Sequence, residues 1–159
     1  MAEHAPLPRL GPGGVAVTVE LDLPVSLAFA KATDWPGQGK WIPLTTVRVV
    51  RGDGHSVGSR IEAFTGVGRL GFLDVIEVTG WDPPTQVDVM HVGRFLRGPG
   101  AFEFRASPSG GTALTWSEWL DLPLGRIGRM LWPVLRPLAT ALLRIALHRL
   151  VALSGPGRR

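Results

Sequence analysis

The chain has 159 residues, 45% of them hydrophobic, with 17 Lys or Arg against 13 Asp or Glu and a net charge of +4. That length supports one domain with a real core, and the balance of apolar and charged residues excludes a disordered chain. Cysteine is absent, which removes disulfides, thiolate metal sites and a cysteine nucleophile, and fits a reducing cytoplasm.

Residues 1–14 are rich in Pro and Gly and carry no apolar stretch of the kind a signal peptide needs. They read as a flexible tail, as do residues 154–159, and residues 15–153 form the domain. Val15, Val17, Val19, Leu21 and Leu23 alternate with Thr18, Glu20 and Asp22, the pattern of a half-buried strand. Pro24 ends it. A short helix follows to Ala32, with Val25, Phe29 and Ala32 on one face. Two prolines and two glycines between Asp34 and Pro43 forbid a long helix there. Trp35 and Trp41 anchor that segment by burial.

The middle of the chain reads as hairpins. Strands are expected at Thr45–Arg51, Gly58–Thr65, Phe72–Trp81, Gln86–Phe95, Ala101–Ala106 and Thr112–Leu122. Turns fall at Gly52-Asp53-Gly54, Gly66-Val67-Gly68, Asp82-Pro83-Pro84, Gly98-Pro99-Gly100 and Ser107–Gly111. No helical pattern separates these strands, so the connections are antiparallel.

Leu124–Leu153 has no acidic residue. Leu131, Leu135, Leu138, Leu142 and Ile145 recur at helical spacing, with Arg126, Arg129, Arg136, Arg144 and His148 on the other side. Pro133 and Pro137 fall on the arginine side, where a kink leaves the apolar seam whole. Three arginines and a histidine interrupt Leu131–Leu153 as a membrane span. Leu135, Leu138, Leu142 and Ile145 are expected against the sheet, since a sheet with one apolar face needs a second layer. The fold class is therefore α+β: a curved antiparallel sheet of about seven strands wrapped around a long C-terminal helix.

This order resembles the START-like superfamily, the helix-grip fold, and within it the polyketide cyclase/dehydrase-like bacterial branch. The resemblance rests on Ala32-Thr33-Asp34 with Trp35 and Trp41, Val57-Gly58-Ser59-Arg60, Trp81-Asp82-Pro83-Pro84, Gly111-Thr112 before Leu114-Thr115-Trp116, and the long last helix. It implies a deep cavity between the concave sheet and that helix. No catalytic signature of the aromatase/cyclases carries over.

Strand parity says which side chains face such a cavity. Phe72 and Asp74 share a face; so do Val89 and His91, Ala63 and Thr65, Phe102 and Phe104, and Trp116 and Glu118. With Trp41, Leu138 and Leu142 these give the expected ligand-contacting set. A buried carboxylate needs a partner, so Asp74 and Glu118 either pair with each other, with His91 or an arginine, or meet a ligand.

Two functions fit. One is binding of an apolar small molecule, a lipid or a polyketide-like compound. The other is a cyclase/dehydratase acting in the same cavity, with His91, Glu118 or Asp74 moving a proton. The arginine stripe is first of all a solvated helix face, and a membrane-surface role is the weaker reading. No nucleic acid, metal or cofactor is expected. His4, His55, His91 and His148 lack metal-ligand spacing, no glycine loop opens a helix, and basic residues do not interleave with exposed aromatics. Nothing in the sequence fixes an oligomeric state.

Overall fold

The computed structural model describes residues 13–121 and 125–155. The alternating N-terminal segment forms β1 (Gly14–Leu21), and the stretch after Pro24 forms α1 (Val25–Ala32). A single 3-10 turn spans Pro36–Lys40. Then come β2 (Thr45–Arg51), β3 (Arg60–Val67), β4 (Leu70–Asp82), β5 (Gln86–Val92), β6 (Arg97–Ala106), β7 (Thr112–Trp119) and α2 (Arg126–Ser154). One antiparallel sheet holds all seven strands in the order β1-β7-β6-β5-β4-β3-β2. The chain is thus a helix-grip α+β domain.

Boundaries differ from the sequence expectation in a few places. Gly14 already belongs to β1 and Ser154 still belongs to α2. The rest of the expected tails, up to residue 12 and from residue 156, lies outside the described residues, as does the expected helix start at Leu124. Gly98-Pro99-Gly100 is not a turn. It lies inside β6, and the reversal falls at residues 93–96. Gly100 serves close approach of a side chain and Gly98 close approach of the β7 backbone.

The core lies between the sheet, α1 and the C-terminal half of α2. Phe29 of α1 contacts Trp81 edge-on at 5.2 Å and Phe104 at the same distance. Trp35 anchors the 3-10 segment by donating from Nε1 to the Gly54 carbonyl at 2.8 Å. Gly54 has φ 80°, and a Cβ there would collide with the Trp35 ring, so this contact requires glycine. The Lys31 ammonium donates to the Leu153 carbonyl at 2.6 Å. It thereby satisfies one of the orphan acceptors at the end of α2 and ties α1 to it.

The register of α2 is the main correction. Leu147 and Leu150 are fully buried, together with Ala146 and Ser154. Leu138, Leu142 and Ile145, expected in the seam, are 57%, 50% and 49% exposed, and Leu135 is half-buried. The inward face is displaced by roughly one residue, about 100° on the helical wheel. Small residues explain it. Gly128, Ala139, Ala146 and Ser154 face inward, and they add little to a leucine count. Pro133 and Pro137 are exposed within one continuous helix, on the side where the sequence places them. By length and hydropathy α2 could cross a membrane. Here its C-terminal half packs on β1 instead, while its N-terminal half stands off the sheet.

This register makes a prediction that chemical denaturation can check. Leu147→Ala should destabilise the fold by about 2–5 kcal/mol, the range for a large buried aliphatic side chain cut to Ala. Leu142→Asp should leave a soluble protein with cooperative unfolding. Loss of folding in Leu142→Asp, with Leu147→Ala near neutral, would restore the leucine seam and contradict this packing.

Candidate functional site: a cavity with a buried acid–histidine–acid cluster

The space between the standing-off half of α2 and the concave sheet is a cavity of about 460 Å³. Its sheet wall includes Ala63, Thr65, Phe72, Ile76, Val89, Phe102 and Trp116. The helix wall is Trp132, Leu135, Leu138, Ala139, Leu142, Leu143 and Ala146. Trp35, Gln38, Ile42 and Pro43 close one end. Phe72, Leu138 and Leu142 line the cavity yet are between 36% and 57% exposed, so they form its mouth.

Ten of the expected contact residues line this cavity: Ala63, Thr65, Phe72, Asp74, His91, Phe102, Trp116, Glu118, Leu138 and Leu142. Trp41 and Phe104 do not. Both are core residues, 2% exposed. Trp41 packs edge-on against Trp116 at 5.9 Å and supports the wall from behind. Phe104 shares the parity of Phe102 but sits further along β6, where α1 covers it. Sequence reasoning missed Trp132 and Ala139, which lie outside the leucine stripe, and placed Leu135 in the packed seam rather than on the cavity wall. It missed Leu96 because that residue sits in the true β5–β6 turn.

Among the described residues three ionisable groups line the cavity, and all are buried: Asp74 on β4, His91 on β5 and Glu118 on β7. His91 bridges the other two. Its Nδ1 lies 2.8 Å from Asp74 Oδ2 and its Nε2 lies 2.7 Å from Glu118 Oε2. Trp116 Nε1 donates to the other Glu118 oxygen, Oε1, at 2.6 Å. Asp74 Oδ1 is buried with no partner.

The bridge crosses a strand. β6 lies between β5 and β7, so His91 and Glu118 start from strands about 9–10 Å apart. The inward positions of β6 between them are Gly98, opposite His91, and Gly100, opposite Glu118. A Cβ on Gly100 would overlap the Glu118 carboxylate, and one on Gly98 would overlap the Trp119 carbonyl oxygen. Glycine inside a strand marks such close approach. Gly100, read as part of a turn, therefore leaves the gap into which the Glu118 carboxylate reaches toward His91, while Gly98 admits the β7 backbone.

The electrostatics follow. Burial alone would push the His91 pKa down, but the Glu118 charge and the hydrogen bonds to both carboxylates outweigh it. The imidazolium is held up to about 10. Both ring nitrogens then donate, and neither offers a lone pair. Since this pKa lies above the 6.5 of a free histidine, the stability that His91 contributes is fully present below pH 6.5 and is lost as pH rises through about 10.

A second, larger depression of about 630 Å³ is lined by Thr33, Asp34, Asp53, His55 and Trp81, among others. It is a more open surface groove. Its His55 ring lies 5.1 Å from Trp81, and Asp53 accepts from the His55 backbone and from Ser56. Its buried Thr33 hydroxyl is bonded to the Phe29 carbonyl. No unpartnered buried side-chain group lines that groove among the described residues, so the chemistry belongs to the cavity under α2.

Unfolding free energy measured against pH tests the bridge. The parent should lose stability between pH 7 and 10, and His91→Gln should flatten that slope. At neutral pH His91→Gln should cost about 3–5 kcal/mol, because it strands two buried carboxylates. A parent protein with flat stability over this range would rule out the imidazolium bridge.

The geometry agrees with what the chain is similar to. The sequence profile of the polyketide cyclase / dehydrase and lipid transport family matches residues 13–155. A search of curated proteins returns no match. Among solved structures, a protein from Thermus thermophilus is similar with a TM-score of 0.72 at 17% identity, covering 89% of this chain and 99% of its own. A START superfamily protein from Mycobacterium smegmatis has a TM-score of 0.72 at 15% identity, covering 89% and 96%. The Aha1 dimer from Colwellia psychrerythraea has a TM-score of 0.64 at 14% identity, covering 92% and 98%. Identities this low speak to the fold alone, whereas the profile match spans nearly the whole chain. The chain belongs to the polyketide cyclase / dehydrase and lipid transport family.

Proposed function

We propose that this protein binds one apolar small molecule, a lipid or a polyketide-like compound, between the sheet and the N-terminal half of α2. One observation carries the reading: a cavity of about 460 Å³ with apolar walls and a single polar cluster. Ligand pockets of small molecules have this size and make-up. A domain that needed only a core would fill such a space, because cavity volume lined by apolar side chains costs stability. Phe72, Leu138 and Leu142 at the mouth are apolar and partly exposed, so a bound tail would cover them. A cytoplasmic location is part of this reading.

The enzymatic alternative asks one of the three polar residues to move a proton. A general base works best when its pKa lies near the working pH. His91, held up to about 10 with both nitrogens donating, is already protonated at neutral pH. Glu118 spends both oxygens on His91 and Trp116. The cluster is committed to holding its own geometry, which favours binding over turnover.

The test is native mass spectrometry of the purified protein together with calorimetric titration of its extracted ligand. A retained apolar molecule is expected. Ala139→Phe, which fills the cavity from α2, should weaken binding at least tenfold while the protein stays folded. No product should form from a poly-β-keto mimic. Turnover that vanishes in Glu118→Gln with affinity unchanged would transfer the site to the cyclase/dehydratase reading.

A further inference from the structure

The polar lining of the cavity is unevenly supplied with donors and acceptors. Most of its side-chain donors are spent inside the protein, the exceptions among the described residues being Trp132 Nε1 and the second Gln38 amide hydrogen. His91 gives both ring hydrogens to carboxylates, and Trp116 Nε1 donates to Glu118. Trp35 Nε1 donates to Gly54 and Gln38 Nε2 to the Ala32 carbonyl at 2.9 Å. The Thr45 hydroxyl donates to the Pro43 carbonyl at 3.0 Å. Since Thr45 has one hydrogen, the 2.8 Å contact between Thr45 and Thr65 uses the Thr65 hydrogen.

Apart from those two neutral N–H groups, what remains is accepting capacity. Asp74 Oδ1 is buried without a partner, and the Thr65 oxygen keeps its lone pairs. No Lys or Arg lines the cavity among the described residues. Arg48 and Arg60 pair with Glu62 and Glu77 instead. Two carboxylates around one imidazolium leave the cluster with a net negative charge.

We infer that the cavity selects an apolar ligand whose polar end is a hydrogen-bond donor, a hydroxyl or an ammonium, and rejects one that ends in a carboxylate. A donor that reaches the buried, orphaned Asp74 oxygen would satisfy it, and a cation would also balance the cluster's charge. A carboxylate would bring a third anion into a low-dielectric space with no cation to meet it. That is selection by repulsion as much as by attraction. The inference rests on the binding reading above and specifies the class of molecule for the same site.

Three probes of equal chain length separate the possibilities: decylamine, decanol and decanoate, each titrated at neutral pH into the parent protein and into Ala139→Phe. Decanol and decylamine should bind at least tenfold more tightly than decanoate, and both should be lost in Ala139→Phe. Decylamine above decanol assigns the site to cations, and equal binding assigns it to neutral donors as well. Decanoate binding as tightly as decanol would overturn the donor inference while leaving the binding reading intact. Failure of all three, with no molecule retained by the purified protein, would overturn both. Asp74→Asn adds a donor and should narrow the gap between decanol and decanoate. If Asp74→Asn does not fold, the probe series on the parent protein decides alone.

Discussion

The imidazole bridge between Asp74 and Glu118 is the constraint on which the rest depends. A buried carboxylate without a partner is costly, and two near each other are worse. His91 makes both tolerable, at 2.8 and 2.7 Å. It also staples β4, β5 and β7 together through side chains, across a β6 whose inward positions at that level are glycine. Removing bulk from β6 at Gly100 lets the bridge close.

The helix answers the same geometry. Its C-terminal half buries Ala146, Leu147 and Leu150 as an ordinary core would. Its N-terminal half presents Trp132, Leu135 and Ala139 to an open volume instead. Stability thus concentrates at the C-terminal half, where α2 packs on β1 and Lys31 holds its last turn. The half with fewer packed neighbours is where local opening costs least, and on the binding reading it is where a ligand would pass.

Much of this was legible in the sequence. Period-2 alternation placed Asp74, His91 and Glu118 on the inner face, and the cost of burying a carboxylate left two outcomes, pairing within the protein or contact with a ligand; the structure shows the pairing through His91. Two things were not legible, for physical reasons. Gly98-Pro99-Gly100 reads as a turn because glycine marks both reversals and close approach, and only the register tells them apart. The inward face of α2 was misplaced because periodicity weighs large leucines, while a helix beside a cavity turns small residues inward. Trp41 and Phe104 share apolar character with true cavity residues, and no local signal separates a wall from its backing.

Ring-nitrogen NMR of His91 tests the central claim most directly. At neutral pH, with or without ligand, both nitrogens should carry protons and show the shifts of an imidazolium, and that state should persist until the pH approaches about 10. A neutral ring with one bare nitrogen, titrating near the ordinary 6.5, would contradict the bridge, and with it the acceptor-lined cavity built around it.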